Sequence, residues 1–167
     1  MMKIITAITL ALLFVACGSK EESTQNVEAK LVIGKSLNGL TLQDQFEKVH
    51  TLKSTTATVV FAFDKESAHT CNDYFETKEA TYLSDNNTEF IADVSAAPSI
   101  IKSLFILPGL KDFKHTVLLL NEKAVAAPFR KDMDVEKIIA LSVEDGKITK
   151  ITAISTQKEL IALIEAK

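Results

Sequence analysis

The feature that most constrains the fold is an uninterrupted apolar run at Thr58–Phe63, with the sequence TVVFAF. The run has the length of a strand and is rich in β-branched and aromatic residues. Because it does not alternate with polar residues, neither face of such a strand is suited to contact with water. A strand buried on both faces is typical of a parallel sheet covered by helices on its two sides.

Strand and helix patterns alternate along the rest of the folded part. The predicted elements are a hairpin over 37–52, the strand Thr58–Phe63, a helix Ser67–Leu83, a strand Glu89–Val94, a helix from Pro98 to Phe105 that Pro108-Gly109 ends, a strand Thr116–Leu120, a fourth strand Ala124–Phe129, a hairpin from Lys137 to Ile154 and a closing helix. The closing helix begins with the capping-box spacing of Thr156 and Glu159. This alternation predicts an α/β fold with a central mixed sheet and helices on both faces.

Composition places the chain among globular proteins and excludes several function classes. The 167 residues are 47% hydrophobic and 25% charged, which excludes a disordered chain. The formal net charge is −3 and the isoelectric point is about 5.6, whereas nucleic-acid-binding proteins present a basic face. Two cysteines and three histidines leave little room for a disulfide scaffold or a zinc ribbon. We therefore expect one compact domain with no cofactor and no nucleic-acid partner.

The first residues have the pattern of a bacterial secretion signal that ends in a lipid attachment site. Lys3 precedes an uncharged apolar run, Ile4–Ala16, which is too short to cross a bilayer as a helix. The run ends in Phe14-Val15-Ala16-Cys17, which resembles the lipobox of bacterial lipoproteins. The resemblance implies cleavage before Cys17, acylation of its sulfur and of the new N-terminus, and stable anchoring to a lipid membrane. The alternatives are an ordinary signal peptide and a short buried helix.

A polar segment separates this signal from the fold. Residues 18–29 have the sequence GSKEESTQNVEA and no apolar periodicity, which is typical of a flexible tether. The predicted organisation is a signal peptide over 1–16, the lipidated Cys17 and tether over 17–29, and a folded domain over 30–167. Gly18 is not the Asp that retains enteric lipoproteins at the inner membrane. The sequence therefore favours a periplasm-facing position on the outer membrane over the inner membrane.

Two segments of the folded part carry a family resemblance. The first is Gly34–Leu52, with its Leu40-Thr41-Leu42 and Asp44-Gln45-Phe46 patterns, and the second is Lys137–Ile164. They resemble the opening hairpin and the last hairpin and helix of periplasmic thioredoxin-like and peroxiredoxin-like domains. The resemblance implies a thioredoxin-like domain. In the catalytic thioredoxins it also implies a Cys-x-x-Cys pair in the loop after the buried strand.

The chain departs from the redox members of those families at four points. The quartet that matches Cys-x-x-Cys is Ala68-His69-Thr70-Cys71, so the attacking first cysteine is absent. Ala68 also stands where a peroxiredoxin has Thr or Ser, and Ser67 where a copper-handling Cys-x-x-x-Cys has its first Cys. Val135-Glu136 occupy the place of the thioredoxin cis-proline. Three features resemble the YtfJ-type branch, which has the fold without the redox pair: the Ser67-Ala68 loop without Cys-x-x-Cys, the Asp44-Gln45-Phe46 hairpin and the extra segment Thr116–Phe129.

Cys71 is the foremost candidate for a catalytic residue. The helical pattern places it in the first turn of a helix, where the helix dipole lowers the pKa of a thiol. A single thiol in that position can form a mixed disulfide, become a sulfenic acid or bind a soft metal. Cys71 also shares an apolar stripe with Ala68 and Phe75, as a buried structural cysteine would. The sequence leaves the reactive and the structural interpretation open.

A metal site is a further hypothesis. Thiolate and imidazole suit both copper and zinc, so His69, Cys71 and His115 together have the chemistry to hold either ion. On a helix His69 and Cys71 point about 200° apart, so the hypothesis requires that turn to be a loop. His50 is predicted to be a hairpin residue with a solvated ring. Arg130, the only arginine, is predicted to be a solvated surface residue.

These observations together predict a membrane-anchored lipoprotein of the cell envelope whose thioredoxin-like domain has lost its redox pair. Such a protein would act as a binding or accessory module with an envelope protein as its partner. The first alternative is a single-cysteine thiol peroxidase or monothiol oxidoreductase that uses Cys71. The second alternative is copper or zinc binding through His69, Cys71 and His115.

Overall fold

The apolar run predicted to be a doubly buried strand lies at the centre of a mixed sheet. A computed structural model describes residues 27–166, and in that part of the chain the strands are β1 Thr41–Asp44, β2 Val49–Thr51, β3 Thr58–Ala62, β4 Thr88–Asp93, β5 Leu118–Leu120, β6 Ile138–Glu144 and β7 Lys147–Ile154. They form one seven-stranded sheet in the order β2-β1-β5-β4-β3-β6-β7. The three strands β3, β4 and β5 are parallel, and the remaining pairings are antiparallel.

Helices follow the strands in the predicted alternation. They are α1 Lys65–Phe75, α2 Tyr82–Asp85, α3 Ser99–Ile101, a π-helical segment Lys102–Ile106, α4 Leu107–Leu110, α5 Lys123–Arg130 and α6 Gln157–Glu165. The predicted capping box of Thr156 and Glu159 is present at the start of α6. No helix within residues 27–166 is long and apolar enough to cross a membrane.

Two hydrophobic cores lie on the two faces of the sheet. Every residue of β3 is buried. On one face Val60 and Ala62 pack in the first core, with buried residues of α1, α4 and α6. On the other face Val59 and Phe61 pack in the second core, with α5 and the chain that precedes β1. The predicted α/β class, with helices on both faces of a central mixed sheet, is confirmed.

The segment Ala124–Phe129 is part of helix α5, and the predicted strand there is wrong. Alanine has the highest helix propensity of all residues, and three alanines lie in this short segment. Ala126 and Phe129, three residues apart, are both buried in the second core. The helical period therefore buries the apolar side chains that an alternating strand would divide between two faces.

The first predicted helix, Ser67–Leu83, is shorter than expected. It ends at Phe75, and α2 begins only at Tyr82. The residues between them are polar or small and are half-buried or exposed, so a longer helix would have no apolar face there to pack on the sheet.

The helix that starts after Pro98 continues past Phe105, although Pro108-Gly109 was predicted to end it. The π-helical segment explains the difference. The backbone N–H of Leu107 bonds to the carbonyl of Lys102, five residues back. A widened turn directly before Pro108 accommodates a ring that would clash with the preceding turn of a regular α-helix.

The predicted signal peptide 1–16 and the lipidated Cys17 lie outside the described residues, as does most of the tether 17–29. The described chain begins at Val27, and the Lys30 N–H donates to the Pro128 carbonyl at 2.8 Å. The chain therefore enters the fold beside α5.

Candidate functional site

The loop after β3 corresponds to the position predicted for the Cys-x-x-Cys pair of catalytic thioredoxins. In this chain the loop forms a capping box at the start of α1. The Asp64 carboxylate accepts a hydrogen bond from the Ser67 backbone N–H at 2.8 Å. In return, the Ser67 hydroxyl accepts from the Asp64 N–H at 3.4 Å. Ser67 is buried, and α1 begins directly after Asp64. The loop is therefore built to start a helix, and it carries no thiol before Cys71.

Cys71 lies inside the first core. Its side chain is 0% exposed and packs with Tyr74 and Phe75 of the same helix. Because α1 begins at Lys65, Cys71 lies nearly two turns from the helix start, beyond the first turn in which the dipole acts. Burial raises the pKa of the Cys71 thiol far above its ordinary value. The geometry favours the structural interpretation of this cysteine over the reactive one.

The residues of the metal hypothesis do not form a binding cluster. His69 is exposed on α1, whereas Cys71 on the same helix is buried. The metal hypothesis requires a loop in this turn, but the turn belongs to the regular helix α1, so the two side chains diverge. Within residues 27–166, no group of three or more His, Cys, Asp or Glu side chains is placed to hold a metal ion. The hypothesis of a His69, Cys71 and His115 site therefore lacks geometric support.

His115 instead joins α1 to the chain that leads into β5. The imidazole is 2% exposed, and its Nε2 lies 2.9 Å from Asn72 Oδ1. Its Nδ1 lies 3.3 Å from the Glu76 carboxylate, and its ring stacks on Phe113. Burial lowers the pKa of His115, although the neighbouring Glu76 acts in the opposite direction. Burial therefore disfavours the charged form of the ring, whose contacts with α1 and Phe113 are those of a structural residue.

His50 lies in β2 of the predicted hairpin, and its ring is partly solvated. Its Nε2 lies 2.7 Å from Asp44 Oδ2, and Asp44 itself is buried. The other oxygen of Asp44 accepts backbone N–H bonds from Phe46 at 2.8 Å and Lys48 at 2.9 Å. Burial alone would raise the pKa of Asp44, but these three hydrogen bonds outweigh it and hold that pKa below its ordinary value. The pair fixes the turn between β1 and β2.

Arg130 forms an ion pair at the end of β4. Its Nη1 donates to Asp93 Oδ2 at 2.8 Å and to the Phe63 carbonyl at 3.3 Å. The Asp93 side chain is 0% exposed, and that of Arg130 is one-third exposed. The predicted solvated surface residue is therefore one half of an ion pair whose carboxylate is fully buried. The signals that point to this pair are that Arg130 is the only arginine and that Asp93 ends a buried strand.

The Arg130–Asp93 pair lies at the carboxyl edge of the parallel strands. Phe63 follows β3, Asp93 ends β4, and Asn121 follows β5. The Lys102 ammonium donates to the Asn121 carbonyl at 2.6 Å. The Asn121 side-chain oxygen is buried and has no hydrogen-bond partner within the described residues. Ligands of open α/β sheets bind at this edge, so it is the candidate functional site.

Comparisons with known proteins bear on the fold. Solved structures similar to this chain include Peroxidoxin BcpB from Mycobacterium tuberculosis, with a TM-score of 0.52 and 15% identity over 80% of this chain and 96% of that chain. Another is the thioredoxin domain of a thiol-disulfide oxidoreductase from Bacteroides vulgatus, with a TM-score of 0.51 and 15% identity over 81% of this chain and 97% of that chain. The fold is thioredoxin-like. No family model and no curated protein matches the sequence.

A further similar structure is a peroxiredoxin-like protein from Aquifex aeolicus, with a TM-score of 0.50 and 9% identity over 84% of this chain and 90% of that chain. The thioredoxin-like fold predicted from the two hairpin segments is therefore confirmed. In this thioredoxin-like domain, the loop after β3 and the ends of β4 and β5 form one edge. That edge presents the Arg130–Asp93 ion pair and the Asp64 cap, while Cys71 is buried below it.

Proposed function

We propose that this protein is a lipid-anchored binding module of the cell envelope whose thioredoxin-like domain does not use thiol chemistry. The burial of Cys71 is the observation that carries the proposal. A thiol that is 0% exposed, with a raised pKa and no second cysteine in the fold, has neither the access nor the thiolate character that redox exchange requires.

The binding role rests on the carboxyl edge of the sheet. An ion pair with a fully buried carboxylate, and a buried side-chain oxygen at Asn121 without a partner in residues 27–166, are costly features in a site without a ligand. Of the groups at this edge, the Arg130 guanidinium is one-third exposed and can be reached by a partner. Its chemistry suits a polar segment of another envelope protein that offers hydrogen-bond acceptors.

The anchor rests on the sequence around Cys17. The apolar run that precedes it is too short to span a bilayer, as in a cleaved lipoprotein signal. An acylated Cys17, only ten residues before the described chain begins at Val27, would hold the domain close to the membrane.

An activity assay tests the absence of thiol chemistry. We expect the protein to reduce insulin and to consume hydrogen peroxide no faster than the buffer, and we expect Cys71→Ser to behave identically. An activity that the wild type has and Cys71→Ser lacks would refute the proposal and establish the single-cysteine oxidoreductase alternative.

Fractionation of a diderm bacterium that expresses the full chain tests the anchor. The wild type should be found in the membrane fraction, and globomycin should block its processing. Cys17→Ala should lose both processing and membrane association, whereas Cys71→Ser, the matched control, should keep both. Unchanged membrane association of Cys17→Ala would contradict the lipid anchor.

A further inference from the structure

A cavity lies at the edge of the sheet opposite to the Arg130–Asp93 pair. It is lined by the connection between β2 and β3, by α2 and the turn after it, by the start of β4, and by Thr116, which precedes β5. Its volume is about 220 Å³. Pockets for drug-sized ligands have roughly 300–1,000 Å³, so this cavity suits a molecule of about the size of a single amino acid.

The wall of the cavity carries two opposite charges that are not paired with each other. Glu89 is half-buried near the start of β4, and Lys53 is exposed in the connection between β2 and β3. Burial raises the pKa of Glu89, and the nearby positive charge of Lys53 acts in the opposite direction. Neither side chain forms a hydrogen bond or an ion pair within residues 27–166. Both charges are therefore available to a ligand.

The third charged residue of the wall already has a partner. His50 also lines the cavity, but its Nε2 lies 2.7 Å from a carboxylate oxygen of the buried Asp44. The wall further includes Thr55 and Thr116, whose hydroxyls have no hydrogen-bond partner in the described part of the chain. Hydroxyls can donate and accept, so they suit either end of a polar ligand.

We propose that this cavity binds a small zwitterion of the α-amino acid class. The ligand ammonium donates hydrogen bonds to the Glu89 carboxylate, and the ligand carboxylate accepts hydrogen bonds from the Lys53 ammonium. Hydrogen bonds between charged groups are stronger than those between neutral groups, and they replace the water that burial removes from Glu89. The inference is independent of the lipid anchor and of the partner proposed for the Arg130–Asp93 edge.

The volume and the two charges together favour a free amino acid over a polypeptide. The interior of a polypeptide has no backbone charge, so it would leave both Glu89 and Lys53 unpaired. A molecule with a single charge would pair with only one of them. A free amino acid carries both charges on one carbon atom and has the size that the cavity admits.

A titration followed by ¹H–¹⁵N NMR tests the proposal. The protein is the full chain with Cys17→Ser, and the probe is L-serine. We expect saturable shifts of the backbone amide signals of Lys53 and Glu89, and no shifts of those of Asp93 and Arg130 at the opposite edge. Signals of Lys53 and Glu89 that do not move, or that move without saturation, would overturn the proposal.

Variants of the two charges test their roles. Glu89→Gln and Lys53→Met should each weaken the binding of L-serine about tenfold, because each removes a hydrogen bond between charged groups. The matched controls Glu136→Gln and Lys123→Met make the same changes of charge at exposed positions outside the cavity, and they should bind as the wild type. The dispersion of the amide signals shows in the same spectra that each variant is folded. Unchanged binding by Glu89→Gln or by Lys53→Met contradicts the proposal.

Matched ligands assign each end of the zwitterion to its partner. Glycerate has a hydroxyl in place of the ammonium of L-serine, and serinol has a hydroxymethyl group in place of the carboxylate. Each should bind the wild type about tenfold more weakly than L-serine does. Glu89→Gln should not weaken glycerate binding further, and Lys53→Met should not weaken serinol binding further. Glycerate that binds as well as L-serine would indicate a site for anions only, and serinol that does so would indicate a site for cations only. Either result overturns the proposal.

Discussion

At the scale of single residues, the strongest constraint on the candidate site is a buried charge. Asp93 has no exposed side-chain surface, and Arg130 supplies its counter-charge. A carboxylate left without its partner inside a protein costs considerably more than a surface ion pair contributes. Arg130 is therefore a residue on which both the stability of the edge and its charge pattern depend.

Removal of the guanidinium should destabilise the fold. We expect Arg130→Met to lower the free energy of unfolding by about 2 kcal/mol, less than for a fully buried pair because Arg130 is partly solvated. Urea denaturation measures the change. The neighbouring exposed variant Lys131→Met should cost less than about 0.5 kcal/mol. Adding Asp93→Asn to Arg130→Met should recover part of the loss, and equal losses in Arg130→Met and Lys131→Met would contradict the role of the pair.

His115 should make stability depend on pH. Its pKa in the fold lies below the ordinary 6.5, so the unfolded chain binds a proton first as the pH falls. The stability that the neutral ring contributes is complete above pH 6.5 and is lost as the pH falls below it toward the lowered pKa. Urea midpoints at pH 7.5 and 5.5 should differ more for the wild type than for His115→Gln. The exposed His69→Gln should retain the wild-type difference, and an equal difference in His115→Gln would contradict this account.

At the scale of elements, the local backbone geometry of two glycines determines whether replacement by alanine stabilises or destabilises the fold. Gly146 has φ +73° in the turn between β6 and β7, and a Cβ there would collide with the Asn38 side chain. Gly109 lies in α4 with an ordinary helical backbone and open space around the position of a Cβ. The same substitution should therefore have opposite effects at the two positions.

Alanine at these glycines tests that contrast. We expect Gly146→Ala to lower the free energy of unfolding by about 1–2 kcal/mol, because a left-handed backbone strains any residue with a Cβ. Gly109→Ala should raise it by about 0.5–1 kcal/mol, since alanine favours the helix and reduces the entropy of the unfolded chain. Thermal denaturation of both variants measures these changes. A change in melting temperature of the same sign in both variants would contradict the predicted difference between the two glycines.

At the scale of the whole molecule, the fold could be predicted from local patterns and the candidate site could not. The apolar composition of Thr58–Phe63 predicts a strand that is buried on both faces. The three-residue spacing between Thr156 and Glu159 predicts the capping box of α6. The Arg130–Asp93 contact joins residues 37 positions apart, which no local pattern encodes. The short apolar run Ala124–Phe129 fits the period of a strand and that of a helix, and only the core against which α5 packs distinguishes the two.

The thioredoxin-like fold of the whole domain buries the Cys71 thiol in its first core. This burial is the basis of the proposed function. Alkylation by iodoacetamide tests it most directly, with Cys17→Ser so that Cys71 is the sole thiol. The control carries Cys17→Ser, His69→Cys and Cys71→Ser, which moves the thiol to an exposed position of the same helix. We predict that native Cys71 reacts about a hundredfold more slowly than the control thiol, and at the same rate in denaturing urea. Equal rates in the native proteins would contradict the claim.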